Sequence, residues 1–184
     1  MIYYFTPYST SKNFFEAIDA QMNCAKPNDW ICLIDGDTMF LYSDFGHKLQ
    51  KFTELYPDTG LFTCVSNRCH YECQRYEGVL SNESDILHHH QMAHSAFEKY
   101  GYRVKEVKRR IAGHLMMIKA STWMQVRKDV EAAVKTQNKK VLGVDTKISN
   151  AMIKRGLKIR IMEGFYLFHF LRLNKSVDDN KHLI

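Results

Sequence analysis

Asp35 and Asp37 stand one residue apart, directly after the unbroken apolar run Trp30-Ile-Cys-Leu-Ile34. In extended backbone, side chains at i and i+2 leave the same face, so two carboxylates at this spacing converge on one point. Two like charges that close repel each other unless a proton or a cation sits between them. A hard divalent ion, Mn²⁺ or Mg²⁺, is the natural occupant of such an oxygen pair. Gly36 between them is read as allowing unusual backbone angles and close approach of a ligand. With eleven aspartates in 184 residues, about 0.6 Asp-x-Asp pairs arise by chance, so the motif gains its weight from its placement after a buried strand. A plain acidic turn at a strand end is the alternative reading.

Further candidates for chemistry lie elsewhere in the chain. Asp145, in Gly143-Val-Asp-Thr-Lys-Ile148, falls at the entry to an amphipathic stretch, where an acid serves either as a helix N-cap or as a functional carboxylate. His169 lies in the apolar segment Phe165-Tyr-Leu-Phe-His-Phe170, where a satisfied core histidine competes with a ligand. His90 and His94 have i, i+4 spacing but no Glu in the helical zinc-protease arrangement, and read as a solvated helical face. Cys64, Cys69 and Cys73 cluster around His70 without paired Cys-x-x-Cys hooks. Five cysteines with no framework spacing read as free thiols of a reducing compartment.

The elements that must position these residues follow from periodicity. Ile2–Phe5, Trp30–Ile34, Gly60–Val65 and His114–Ile118 read as strands, the buried ones as uninterrupted apolar runs. Helices are expected from about Ser11 to Ala25, Ser43 to Tyr56, Asp85 to Tyr100, Ser121 to Lys135 and Asp145 to Arg155. Tyr102–Val107 alternates like a half-exposed strand, and Leu157–Met162 and Phe165–Phe170 read as two closing strands. Alternating strands and helices give an α/β class, expected as one α/β/α sandwich on a mixed, mostly parallel central sheet. One domain is expected over residues 1–172, followed by a polar tail over 173–184. An acid pair at the end of a central strand lies where open α/β sheets bind ligands.

The order of these pieces resembles the GT-A glycosyltransferases, the nucleotide-diphospho-sugar transferases with a D-x-D motif. Asp35-Gly-Asp37 looks like their metal-binding turn. Gly113-His114-Leu-Met-Met-Ile-Lys-Ala-Ser-Thr-Trp123 resembles their glycine-led strand and Trp-containing helix near the acceptor. Asp145 and its helix resemble the segment usually written Glu-Asp. His169-Phe-Leu-Arg172 resembles the closing His-x-x-Arg of the polypeptide N-acetylgalactosaminyltransferase and chondroitin-polymerase-like branch, here in shortened form. The resemblance implies a divalent metal on Asp35, Asp37 and His169, and Asp145 as general base. It implies donor contacts from Tyr8, Lys12, Gly36 and Arg172, and an acceptor side built from Asn67, Arg68, Gly113 and His114. The donor would be a nucleoside diphosphate sugar, and the acceptor a glycan, lipid-linked or protein hydroxyl. Two departures stand: a single helix joins the first two strands, which abbreviates the nucleoside pocket, and Val144 replaces the acid that ordinarily precedes Asp145.

Bulk properties bound the alternatives. The net charge of +6 suits an anionic ligand but does not choose one. No apolar run approaches the roughly 20 residues of a spanning helix and the N-terminus does not read as a signal peptide, so a soluble, cytoplasmic protein with at most peripheral membrane association is expected. A haloacid dehalogenase-like phosphatase is the enzymatic rival, from Ile34-Asp-Gly-Asp-Thr38, with Asp178-Asp179 as its later acid pair. A non-catalytic basic binding module is the other; no helix-turn-helix or aromatic RNA-binding signal supports it, and nucleic acid is not expected.

Overall fold

Apolar runs become strands and apolar stripes become helices in the computed structural model, which describes residues 1–9, 13–136 and 143–170. Strand β1 (Ile2–Phe5) leads to helix α1 (Phe14–Cys24), whose N-cap Asn13 accepts from Glu16 N. Strand β2 (Trp30–Ile34) ends at the acid pair and is followed at once by the short strand β3 (Thr38–Phe40). Helix α2 (Phe45–Leu55) and strand β4 (Thr59–Ser66) come next, the latter buried along its whole length. Two single 3₁₀ turns, Glu72–Gln74 and Tyr76–Gly78, precede helix α3 (Ile86–Tyr100) and strand β5 (Val104–Val107). Strand β6 (Leu115–Lys119), helices α4 (Ala120–Lys135) and α5 (Val144–Lys154), and the long strand β7 (Lys158–His169) complete the order.

These elements form one α/β domain on a seven-stranded mixed sheet of order β1-β2-β6-β4-β7-β3, with β5 also paired to β7. The expectation of a mostly parallel sheet is overturned. Only β1–β2 and β4–β7 run parallel, whereas β2–β6, β4–β6, β3–β7 and β5–β7 are antiparallel. An unbroken apolar run reports burial on both faces, not strand direction. Strand β6 has such a run and still lies antiparallel between β2 and β4.

The two closing strands expected from the sequence are one. Strand β7 runs from Lys158 to His169 and passes through a bulge. One step on β4, from Cys64 to Val65, matches four on β7, from Met162 to Tyr166, so residues 163–165 are three extra. The bulge is seated by Tyr42, whose hydroxyl lies 2.6 Å from Ala93 O and 3.0 Å from Gly164 O and accepts from Tyr166 N at 3.3 Å. At Gly164 a Cβ would fall 2.1 Å from Gly101 O, so two backbones touch where a side chain has no room.

Helix α1 is tied to α4 through Asp19. Its carboxylate accepts from the buried Trp123 indole at 2.9 Å and from the Arg127 guanidinium at 2.6 and 2.7 Å. Helices α2 and α3 meet at an aromatic cluster of Phe52, Phe97 and Tyr102. All five cysteines are free. No helix among the described residues is long and apolar enough to cross a membrane. Lys12, Arg172, the pair Asp178-Asp179 and the tail 173–184 lie outside the described residues.

Candidate metal centre

The acid pair sits in a tight turn. Thr38 closes it on Asp35 O with both its N–H, at 3.3 Å, and its hydroxyl, at 2.7 Å. Asp35 N donates to His114 O, which fixes the turn to the start of β6. Thr38 then opens β3, and β3 pairs antiparallel with the end of β7, placing Thr38 opposite His169. Phe170 N donates to Asp37 O at 2.8 Å. A register contact therefore carries a histidine across more than 130 positions of sequence to the acidic turn.

Asp35, Asp37 and His169 each offer a ligand atom, and these atoms lie within 4.8 Å of one another. Among the described residues this is the one group of three or more His, Cys, Asp or Glu side chains so placed. The clustered cysteines form no such group, and His90 and His94 are exposed neighbours with rings 4.6 Å apart.

The imidazole of His169 is buried and oriented from behind. Its Nδ1 lies 2.8 Å from Arg68 O. A carbonyl only accepts, so Nδ1 carries a proton, and in the neutral ring the lone pair is on Nε2, which faces Asp37 Oδ1 at 3.4 Å. Asn67 clamps the backbone of the same residue, accepting from His169 N at 2.8 Å and donating to His169 O at 3.1 Å. His114 stacks on the ring at 5.6 Å between centroids. Its Nε2 donates to Cys64 O at 3.2 Å, leaving a buried Nδ1 with no hydrogen-bond partner. Burial, reinforced by His169, pushes His114 down to about 3, so it packs as a neutral ring.

The two acids differ in environment. Asp35 is open to solvent on one side and closely flanked by protein on the others. Desolvation, with Asp37 and Asp145 adding repulsion against the attraction of His169, pushes its carboxyl up to about 6. Asp37 is held below its ordinary range, because His169 donates to it when Nε2 also carries a proton, and that contact outweighs burial; a bound cation would take the place of that proton. Two carboxylates and an imidazole whose ligand atoms lie this close could hold a divalent cation.

A cleft of about 460 Å³ opens at this turn, lined by Asp35, Gly36, Asp37, Gly113 and Asp145 among others. Asp145 lies in the first turn of α5, and the helix is capped by Gly143 rather than by the acid. Burial raises its carboxyl despite hydrogen bonds from the backbone N–H groups of Thr146 and Gly113. A Cβ on Gly113 would fall 3.0 Å from the Asp145 Cβ, so glycine is what lets that acid approach β6. Gly36 needs no such explanation. Its φ is not positive, and a Cβ there would meet Thr6 at an ordinary 3.7 Å, so the unusual backbone expected of it is absent.

The other expected contacts are distributed differently. Asn67, Arg68 and His114 are all at most 2% exposed and act on His169 from behind. Tyr8 is 79% exposed and is not among the residues lining the cleft, although Pro7 beside it is. Thr38 closes the acid turn and hooks it to β7; its place directly after the pair was the one available signal. The chain matches no protein-family model, and no curated protein matches its sequence.

Proposed function

We propose that this protein transfers a sugar from a nucleoside diphosphate sugar to a hydroxyl acceptor, with a divalent cation held by Asp35, Asp37 and His169. The observation that carries this reading is the convergence of two carboxylates and an Nε2 lone pair at the mouth of a cleft, at the carboxyl end of β2. A divalent cation bound there supplies Lewis-acid stabilisation for a departing diphosphate. Asp37 and His169 present a pre-set pair of ligand atoms, since the Nδ1 contact to Arg68 O holds the ring with Nε2 toward the acids. Asp145 shares the cleft and has a raised carboxyl, properties that suit a general base taking the acceptor hydroxyl proton. Gly113 keeps that carboxylate close to the strand.

The resemblance to the GT-A enzymes adds the donor class, and the positive net charge is compatible with it. Thermal-shift screening of nucleoside diphosphates with and without Mn²⁺ tests the proposal. Stabilisation by one nucleoside diphosphate, dependent on the metal, is the expected outcome. A protein indifferent to every nucleoside diphosphate in the presence of Mn²⁺ refutes it.

A further inference from the structure

Four of the nine histidines fall on helix α3, and they differ in what holds them. His89 is wholly buried and uses both ring nitrogens, Nδ1 with the Tyr166 hydroxyl at 2.7 Å and Nε2 with Glu83 O at 2.8 Å. His88 turns its ring to His89. His90 and His94 stand one turn apart on the solvent side, with 4.6 Å between ring centroids. Among the described residues, their ring nitrogens make no hydrogen bond and no ion pair.

The backbone beneath this pair is fixed before any ligand arrives. Helix α3 is capped by Asp85, whose side chain accepts from Leu87 N, and it buries His89, Ala93 and Ala96. Between the two exposed rings, Ala93 O accepts from the buried Tyr42 hydroxyl at 2.6 Å, and the Tyr42 ring meets His94 edge-on at 6.2 Å. Lys48, whose ammonium lies over the Phe97 ring, is paired with Asp44 at 2.9 Å, so its charge is offset on this side of the helix. Two donors carried on a rigid helix lose little freedom when an ion joins them.

We propose that His90 and His94 chelate a divalent transition-metal ion of the Zn²⁺ class, one imidazole nitrogen from each, with water in the remaining positions. Zn–N bonds of about 2.0–2.1 Å set two ligating nitrogens about 3 Å apart. Rings 4.6 Å apart reach that separation through small torsions of exposed side chains. Imidazole selects such an ion over Mg²⁺ or Ca²⁺, which prefer oxygen. Among the described residues no third His, Cys, Asp or Glu joins the pair, so the site is open to water. Gln91 stands where a helical zinc protease carries its glutamate, so the pair holds an ion without the general base for hydrolysis. This second metal site is separate from the acid turn and does not rest on the glycosyl-transfer reading.

The test is Zn²⁺ titration of the full chain followed by NMR of the histidine rings, repeated in Asp37→Ala so that the acid turn does not compete. The resonances of His90 and His94 should shift together and saturate with one ion, alike in both proteins. His94 is exposed and glutamine is a good helix former, so His94→Gln should stay folded. It should weaken the response of His90 by about tenfold or more, because one imidazole is left where two acted together. Absence of a saturating shift, or an unchanged response of His90 in His94→Gln, overturns the site. Loss of the shift in Asp37→Ala overturns it as well, since the ion would then sit at the acid turn.

Discussion

The chemistry of the centre rests on which nitrogen of His169 holds the proton, and that is decided by a backbone carbonyl rather than by the acids. Arg68 O takes the Nδ1 proton, and Asn67 pins both the N–H and the carbonyl of the same residue. Asn67→Ala should therefore weaken Mn²⁺ binding by about tenfold or more although Asn67 has no place in the ligand set. Two buried backbone groups left unpaired should also destabilise the fold by about 1–3 kcal/mol each. Metal titration and thermal unfolding of the one variant check both effects; full Mn²⁺ affinity would show that the clamp does not position the ring. At this scale the sequence was partly legible. The acid pair was visible because i, i+2 spacing is local, and His169 through a motif resemblance. The role of Asn67 was not, because a side chain bonding to backbone across a hundred residues leaves no local pattern. Gly36 has a backbone freedom that it does not use.

At the scale of elements, the bulge in β7 decides where His169 points. Side chains alternate along a strand, so an insertion of three residues, an odd number, reverses the face that follows. Without residues 163–165 out of register, the residue opposite Thr38 would be a different one. Gly164 makes the bulge feasible by lying against Gly101 with no side chain between. Gly164→Ala should destabilise the protein by about 3 kcal/mol or more, since the atom met is backbone and cannot rotate away. Retention of the melting temperature in that variant would show that the two backbones are not in contact. The sequence showed the glycine but suggested a break between two strands. Periodicity on either side was correct, and nothing local distinguishes a bulge from a turn.

At the scale of the molecule, the strands and helices were legible and the direction of the sheet was not, because apolar runs carry burial and no polarity. What joins the outer helices is an ion pair reinforced by an indole. Burial alone would raise the Asp19 carboxyl, but Arg127 and Trp123 outweigh it and hold it below its ordinary range. A depressed carboxyl stabilises the fold above its unfolded value of about 4, and that stabilisation is lost as pH falls through the folded value. Asp19→Ala should cost about 2 kcal/mol at neutral pH, chiefly from the buried indole left without an acceptor. The half-exposed Arg127 adds less. The gap in melting temperature between the two proteins should be flat from pH 5 to 8 and narrow below about 4; a gap that widens in acid would contradict this. The account as a whole stands on a shared ion at residues 35, 37 and 169. Titration of Mn²⁺ into the unaltered protein and into Asp37→Ala and His169→Ala, read by electron paramagnetic resonance, tests it most directly. The unaltered chain should immobilise a single Mn²⁺ and both variants should lose it; equal uptake by all three proteins, or by none, would contradict the account.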